Sequence, residues 1–317
     1  MIKKNILVTG GAGFLGSHLC DLLVGKGFRV VCVDNLITGS KKNIRNLLNH
    51  KDFSFVEADI LNKFTKIGDK PYKYIFHLAS PASPIDYWNY PEETLLTNSL
   101  GTLNMLRLAK DQKAKILIAS TSEIYGDPLE HPQKESYFGN VNTFGPRSCY
   151  DESKRFAEAA TYVYIHKYGI DARITRFFNT YGPRMQKSDG RVVSNFINQA
   201  LTNKPITIDG DGSQTRSFCY YTDLIEGICR AMFENGTKGE VFNLGNPKEF
   251  TILELAKLTI KLTGSKSNIV FSRKFRVNDP MKRKPEISKA KKMLNWEPKV
   301  SLNDGLKKTI EYYIKPL

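Results

Sequence analysis

Short apolar runs alternate with longer amphipathic stretches along the first half of this chain. Asn5-Ile6-Leu7-Val8-Thr9, Arg29-Val30-Val31-Cys32-Val33 and segments 53–58, 74–77, 115–120 and 172–176 are brief and rich in β-branched or aromatic residues, as buried strands are. Between them the pattern turns helical: from Ser17 onward, over 43–48, over 150–168, and over 91–111. In that last stretch Leu95, Leu96, Leu100, Leu103, Leu106 and Leu108 supply the apolar positions. Strand–helix alternation of this kind predicts a parallel sheet with crossover helices on both faces. Beyond Gly182 the rhythm changes. A helix over 192–202 and short strands near 206–208 and 241–244 precede a helix over 252–263, a basic loop and a last helix over 302–314. The pattern predicts a doubly wound α/β domain over 1–182, to which the chain returns later, and a smaller C-terminal lobe, mainly 183–317, that covers a substrate.

The first strand runs directly into Gly10-Gly11-Ala12-Gly13-Phe14-Leu15-Gly16, and a helical pattern follows. Strand, glycine turn and helix in this order are the context of a dinucleotide fingerprint: the glycines allow close backbone approach, and the helix N-terminus faces the pyrophosphate. The spacing is Gly10-x-x-Gly13-x-x-Gly16. The second strand ends in Asp34, placed to accept from both ribose hydroxyls, which favours NAD over a cofactor with a 2′-phosphate. A purely structural turn would need no such acid. A Rossmann domain binds ligand beyond the carboxyl ends of its strands. Thr9 to Gly16, Asp34, Ala79-Ser80 and Thr121-Ser122-Glu123 all fall there.

Tyr150 and Lys154 form a Tyr-x-x-x-Lys pair on a helical stretch, so both side chains share one face. An ammonium beside a phenol is expected to lower the phenol's pKa from about 10 and make it a proton acceptor for alcohol oxidation. Such spacing also arises by chance in helices. Its weight comes from the glycine turn and the Thr121-Ser122-Glu123 triplet.

Composition narrows the function further. With 317 residues there is room for one large domain or two joined ones. No apolar run is long enough to cross a bilayer, and with the first strand starting just after Met1-Ile2-Lys3-Lys4 a signal peptide is not expected. The five cysteines and five histidines are scattered without metal-ligand spacing, so reduced thiols, no metal and a cytoplasmic location are expected. The net charge of +15 is large, but the lysines are dispersed as on solvated helix faces; nucleic acid is not expected as a partner.

Several longer motifs carry a family resemblance: His77-Leu78-Ala79-Ser80-Pro81-Ala82-Ser83-Pro84, Ser120-Thr121-Ser122-Glu123-Ile124-Tyr125-Gly126, Gly145-Pro146-Arg147-Ser148-Cys149-Tyr150-Asp151-Glu152-Ser153-Lys154-Arg155, Asn179-Thr180-Tyr181-Gly182-Pro183-Arg184, Asp189-Gly190-Arg191-Val192-Val193-Ser194-Asn195-Phe196 and Asp279-Pro280-x-x-Arg283-x-Pro285. Over nearly its full length the chain resembles the extended short-chain dehydrogenase/reductases that modify nucleotide sugars, and within them the UDP-glucuronate decarboxylases. The resemblance implies NAD as cofactor, a nucleotide-diphosphate sugar as substrate, and a homodimer paired through the 91–111 and 150–168 helices. It assigns Thr121, Glu123, Tyr150, Lys154 and Arg283 to catalysis. Gly10, Gly13, Phe14, Leu15, Gly16, Asp34, Asn35, Thr38, Gly39, Asp59, Ile60, Leu78, Ala79 and Ser80, with Tyr150 and Lys154, would hold NAD. Ser122, Asn179, Arg191, Gln199, Arg216 and Arg283 would hold the sugar nucleotide. Ser122 stands where 4,6-dehydratases place an aspartate, and 4-epimerases generally lack the glutamate found here as Glu123. One departure points the other way: Leu96 stands where decarboxylases carry a lysine associated with the sugar. A C4 dehydrogenase, 4-epimerase or 4,6-dehydratase acting on another nucleotide sugar, and a catalytically idle binding subunit, therefore stay open as alternatives.

Overall fold

The computed structural model describes residues 4–62, 71–272 and 282–315. Asp279 and Pro280 lie outside the described residues. Six strands, β1 (Asn5–Thr9), β2 (Arg29–Asp34), β3 (Phe53–Glu57), β4 (Tyr74–His77), β5 (Lys115–Thr121) and β6 (Ala172–Phe177), join Val241–Leu244 in one seven-stranded sheet. The order is Val241–Leu244, β6, β5, β4, β1, β2, β3, and every pairing is parallel. Chain order reverses between β1 and β4, so a crevice opens beyond their carboxyl ends.

The continuous apolar runs follow from burial on both sheet faces. Along β1, Ile6 and Val8 enter a core with Leu19 and Leu23 of α1 (Phe14–Gly25) and with Leu224 and Ile228. Leu7 between them points the other way, into a core with Met105, Leu106, Ala157 and Ala160. Alternating directions are the pleat's doing, and apolar residues are needed at every position because helices cover both faces. A third core, around Phe196, Ile208, Tyr220, Leu255, Leu306 and Tyr313, lies in the later part of the chain.

Three sequence expectations differ from the structure. The helix expected over 43–48 is a single 3-10 turn, Lys41–Ile44. Its asparagines are drawn outward: Asn43 Nδ2 donates to the Ala12 carbonyl at 2.9 Å, and Asn46 Nδ2 to Asp21 Oδ1 at 2.8 Å. The long helix expected over 91–111 is three segments, Pro91–Leu96, a π-helical turn Thr97–Gly101, and Thr102–Gln112. The hydroxyls of Ser99 and Thr102 donate to carbonyls one turn back, at 2.6 and 2.7 Å, while Asn98 Nδ2 reaches Ser153 Oγ at 3.1 Å. Finally, the helix Tyr221–Phe233 has no counterpart in the sequence reading. It is apolar on most sides because it is packed between the sheet and Trp296, and it returns the chain to the sheet at Val241–Leu244.

Candidate active site

The glycine turn is built against the end of β4. Gly10 has φ +70°, and a Cβ there would lie 2.7 Å from the backbone of Ala79. A Cβ on Gly16 would lie 2.1 Å from the Gly10 carbonyl oxygen, so both positions require glycine. Gly13 differs: a Cβ would meet only the Gly10 oxygen, at 3.2 Å, leaving its outer side open. Asp34 Oδ2 accepts from Ala12 N at 2.9 Å and Oδ1 from Leu36 N at 2.8 Å, which aims the carboxylate into the crevice. Burial pushes this carboxyl up and the backbone donors pull it back.

A cavity at this end is lined by Gly10, Gly13, Phe14, Leu15, Gly16, Asp34, Asn35, Thr38, Asp59, Ile60, Leu78, Ala79, Ser80, Tyr150 and Lys154. Of the residues assigned to NAD only Gly39 is not on its wall; a Cβ there would lie 2.6 Å from Asp34 Oδ1, so Gly39 makes room for that carboxylate. Ile37, Asn43, Arg184 and Gln186 also line it and were not singled out in the sequence. A long cleft with an open-sided glycine turn at one end and an anchored carboxylate beside it fits a dinucleotide.

A second cavity meets the first at Leu15, Ala82, Ser120, Tyr150, Phe177 and Arg191. Its wall includes Thr121, Ser122, Glu123, Asn179, Arg191, Arg216 and Arg283 from the expected set. Gln199 is on neither wall. Its Oε1 accepts from Thr207 N at 3.2 Å, so it braces the strand Ile206–Asp209, which does reach the cavity through Thr207, Ile208 and Asp209. Leu96 also lines neither cavity, and its departure from the decarboxylase pattern does not alter these walls.

Tyr150 stands at the junction. It shares a side-chain hydrogen bond with Thr121, whose Oγ1 accepts from Glu123 N at 3.2 Å. The expectation of a phenol activated by Lys154 needs correction. Burial pushes the Tyr150 phenol up, although the bond to Thr121 opposes this. Lys154 Nζ donates to the Ala119 carbonyl at 2.9 Å and lies 5.9 Å from the centroid of the Tyr150 ring. Burial lowers the ammonium itself to about 7. In a dry site desolvation outweighs the attraction that spacing alone suggested.

Glu123 is held between two guanidiniums: Arg147 Nη2 donates to Oε2 and Arg283 Nη1 to Oε1. Burial alone would raise this carboxyl, but Arg147 and Arg283 overcome it and hold Glu123 down to about 2. Arg283 sits on the strand Lys282–Arg283, in register with Arg216 on Thr215–Ser217, so the pairing brings both guanidiniums to the cavity. Arg147 and Tyr87 were not singled out in the sequence. Arg147 immediately precedes Ser148–Tyr168 and lies 6.0 Å from the Tyr87 ring centroid; Tyr87, on Pro84–Asn89, stacks on Tyr150 with centroids 5.3 Å apart. The position of Arg147 one turn before Asp151 was the available signal. Nothing in the local sequence marks Tyr87, whose helix was not expected.

Residues 7–309 match a family model described as GDP-mannose 4,6 dehydratase. The chain belongs to the nucleotide-sugar short-chain dehydrogenase/reductases. It is 52% identical over 308 residues to UDP-glucuronic acid decarboxylase 1 of Arabidopsis thaliana, covering 97% of this chain and 69% of the relative. It is 50% identical over 315 residues to UDP-glucuronic acid decarboxylase 1 of Danio rerio, covering 99% and 74%. Among solved structures it resembles UDP-glucuronic acid 4-epimerase from Bacillus cereus in complex with UDP-glucuronic acid and NAD, at TM-score 0.87 and 31% identity over 97% of this chain and 98% of that one. UDP-glucose 4-epimerase of Thermotoga maritima with UDP-glucose is similar at TM-score 0.88 and 33% identity, with 98% of both chains covered. This family member is an NAD-dependent enzyme with a doubly wound fold.

Proposed function

We propose that the enzyme converts UDP-glucuronate to UDP-xylose by transient oxidation at C4 of the sugar. The carrying observation is Glu123, fixed between Arg147 and Arg283 within the triplet that also presents Thr121 to Tyr150. Identity near 50% to decarboxylases over almost the whole chain supports the same reading.

In this mechanism Arg191 and Arg216 bind the diphosphate, where guanidinium forks match phosphate oxygens, and Asn179 and Ser122 orient the nucleotide and sugar. Thr121 donates to O4 and Tyr150 accepts the C4 hydroxyl proton. Bound NAD would supply the hydride acceptor at C4 and a positive charge that offsets the burial of the phenol. Once C4 is a ketone, the C6 carboxylate is β to it. The electron pair of the C5–C6 bond can then pass into an enolate as carbon dioxide leaves. Glu123 and Arg283 orient the sugar and the water that delivers the proton arriving at C5. Lys154, fixed on the Ala119 carbonyl, holds the helix face that carries Tyr150.

Carboxylate recognition is assigned to Arg147 and Arg283, because these guanidiniums face the cavity while Leu96 does not. A second reading, 4-epimerisation, draws on the fold likeness to the epimerases. Incubation of the NAD-loaded enzyme with UDP-glucuronate separates the two by product mass: loss of carbon dioxide supports decarboxylation, and an isomer of unchanged mass supports epimerisation. Tyr150→Phe should slow either reaction by about 10²–10⁴. Carbon dioxide release untouched by Tyr150→Phe would rule out a C4 ketone as its cause.

A homodimer is proposed as the working form. Leu95, Leu100, Phe156, Tyr162 and Val163 are exposed on helices that pack side by side, as the family's pairing through these helices requires.

A further inference from the structure

Behind Glu123 lies a second carboxyl to which the mechanism above gives no work. Asp151 follows Tyr150 on the helix Ser148–Tyr168 and is only 6% exposed. Its Oδ2 is 3.8 Å from Arg147 Nε, and its buried Oδ1 has no hydrogen-bond partner among the described residues. The four groups form a row, Asp151–Arg147–Glu123–Arg283, in which two guanidiniums face two carboxylates. With Asp151 ionised, the row is neutral when no ligand is bound. A sugar carboxylate entering beside Arg147 and Arg283 would leave it one negative charge in excess, in a place where uncompensated charge is costly.

We propose that Asp151 balances this charge, taking up a proton from solvent when the anionic sugar binds and giving it up as the carboxylate leaves as carbon dioxide. The inference rests on the decarboxylase reading. Decarboxylation with a new C5–H bond consumes one proton, and Asp151, which lines neither cavity, returns its own proton to solvent as the carboxylate's charge is lost, so the row is neutral again at the end of the turnover. The C5–C6 electron pair passes into the enolate and forms the C5–H bond with a proton taken from water in the cavity.

The surroundings suit a carboxyl that titrates in the working range. Arg147, Cys149, Tyr150 and Glu152 face or flank Asp151 from its own helix and its start, Glu123 from the turn after β5, Arg283 from the Lys282–Arg283 strand, and Tyr87 from Pro84–Asn89. Burial, and then Glu123, push Asp151 up to about 7 against the pull of Arg147 and Arg283. A further anion in the cavity raises it again, so at slightly alkaline pH binding must draw in a proton.

The test is calorimetric titration of the NAD-loaded Tyr150→Phe enzyme with UDP-glucuronate, near pH 7.5, in buffers of different ionisation enthalpy. Uptake of roughly half a proton or more per site is expected, with none for UDP-xylose, which lacks the carboxylate. Adding Asp151→Asn should abolish the uptake. In the Tyr150→Phe enzyme itself, which needs no second substitution, the affinity for UDP-glucuronate but not UDP-xylose should fall about tenfold per pH unit once Asp151 is fully ionised in the free enzyme. Binding of UDP-glucuronate without proton uptake, or uptake that survives Asp151→Asn, overturns the assignment of Asp151. Binding of UDP-xylose with no binding of UDP-glucuronate overturns the decarboxylase reading instead.

Discussion

Glu123 is the residue whose surroundings say most about chemistry. A carboxylate clamped by two guanidiniums is charged throughout the physiological range, so it can orient a sugar and a water molecule but is neither a ready proton donor nor a strong base. The same clamp makes it a stability element with a definite sign. Its folded value of about 2 lies below the ordinary 4.5, so its contribution is present above about 4.5 and is lost as the pH falls toward 2. Urea midpoints measured at falling pH should decline less steeply in Glu123→Gln than in the parent enzyme over that window. Equal slopes would mean that the clamp is not formed in solution. Tyr150 carries the opposite lesson. Its place next to Thr121 was legible from motif and spacing, but its protonation was not. Spacing puts Lys154 on the same helix face; only packing shows the ammonium turned to the Ala119 carbonyl and the phenol buried where the two cavities meet.

At the level of elements, β1, β2, β4 and β5 were legible because burial on both sheet faces demands uninterrupted apolar runs. The helix Ile252–Thr263 was legible by its periodicity, and Thr251 and Glu254 form a capping box at its start. What escaped was set by tertiary contacts. Tyr221–Phe233 keeps only a narrow polar stripe, Thr222, Glu226 and Arg230, opposite a broad buried face, and the sequence reading passed over it. At the π turn Thr97–Gly101, Asn98 reaches Ser153 and the Ile60 side chain fills the space beside Gly101, both far away in sequence. Two glycines separate structural from functional demand. Gly16→Ala sets a methyl against the Gly10 carbonyl inside the glycine turn, and NAD binding should weaken by roughly tenfold or more. Gly227→Ala presses on Trp296 at 3.0 Å and on Leu244 at 3.1 Å, neither on a cavity wall, and should cost about 1–3 kcal/mol of stability with NAD affinity little changed. Fluorescence titration with NAD and urea unfolding of both variants distinguish them; equal loss of NAD affinity would contradict this division.

On the scale of the whole molecule, the sheet brings the cofactor cavity to its switch point, while the later chain folds back over the strand ends with Arg191, Arg216 and Arg283. The third core, around Phe196, Leu255 and Leu306, draws on the chain beyond Gly182, where the rhythm of the sequence changes. The strands near 206–208 and 241–244 were legible, but two- and three-residue pairings such as Thr215–Ser217 with Lys282–Arg283 were not, because they carry no periodicity of their own. Phe156 and Val163 stand seven residues apart on one stripe, exposed by 44% and 49%, which fits an interface between copies better than a solvated helix face. Val163→Glu should convert a dimer to a monomer at micromolar concentration by light scattering, and a parent enzyme already monomeric there would count against the pairing.

Both cavities meet at Tyr150, so oxidation and reduction of the same sugar carbon are assigned to one site. UDP-glucuronate carrying deuterium at C4 tests this most directly, with the pentose product read by NMR. If hydride leaves C4 and returns within a single binding event, the label is retained at C4 of UDP-xylose and no NAD is consumed. A pentose with ordinary hydrogen at C4, or carbon dioxide released in proportion to added NAD, would contradict transient C4 oxidation within one closed cycle.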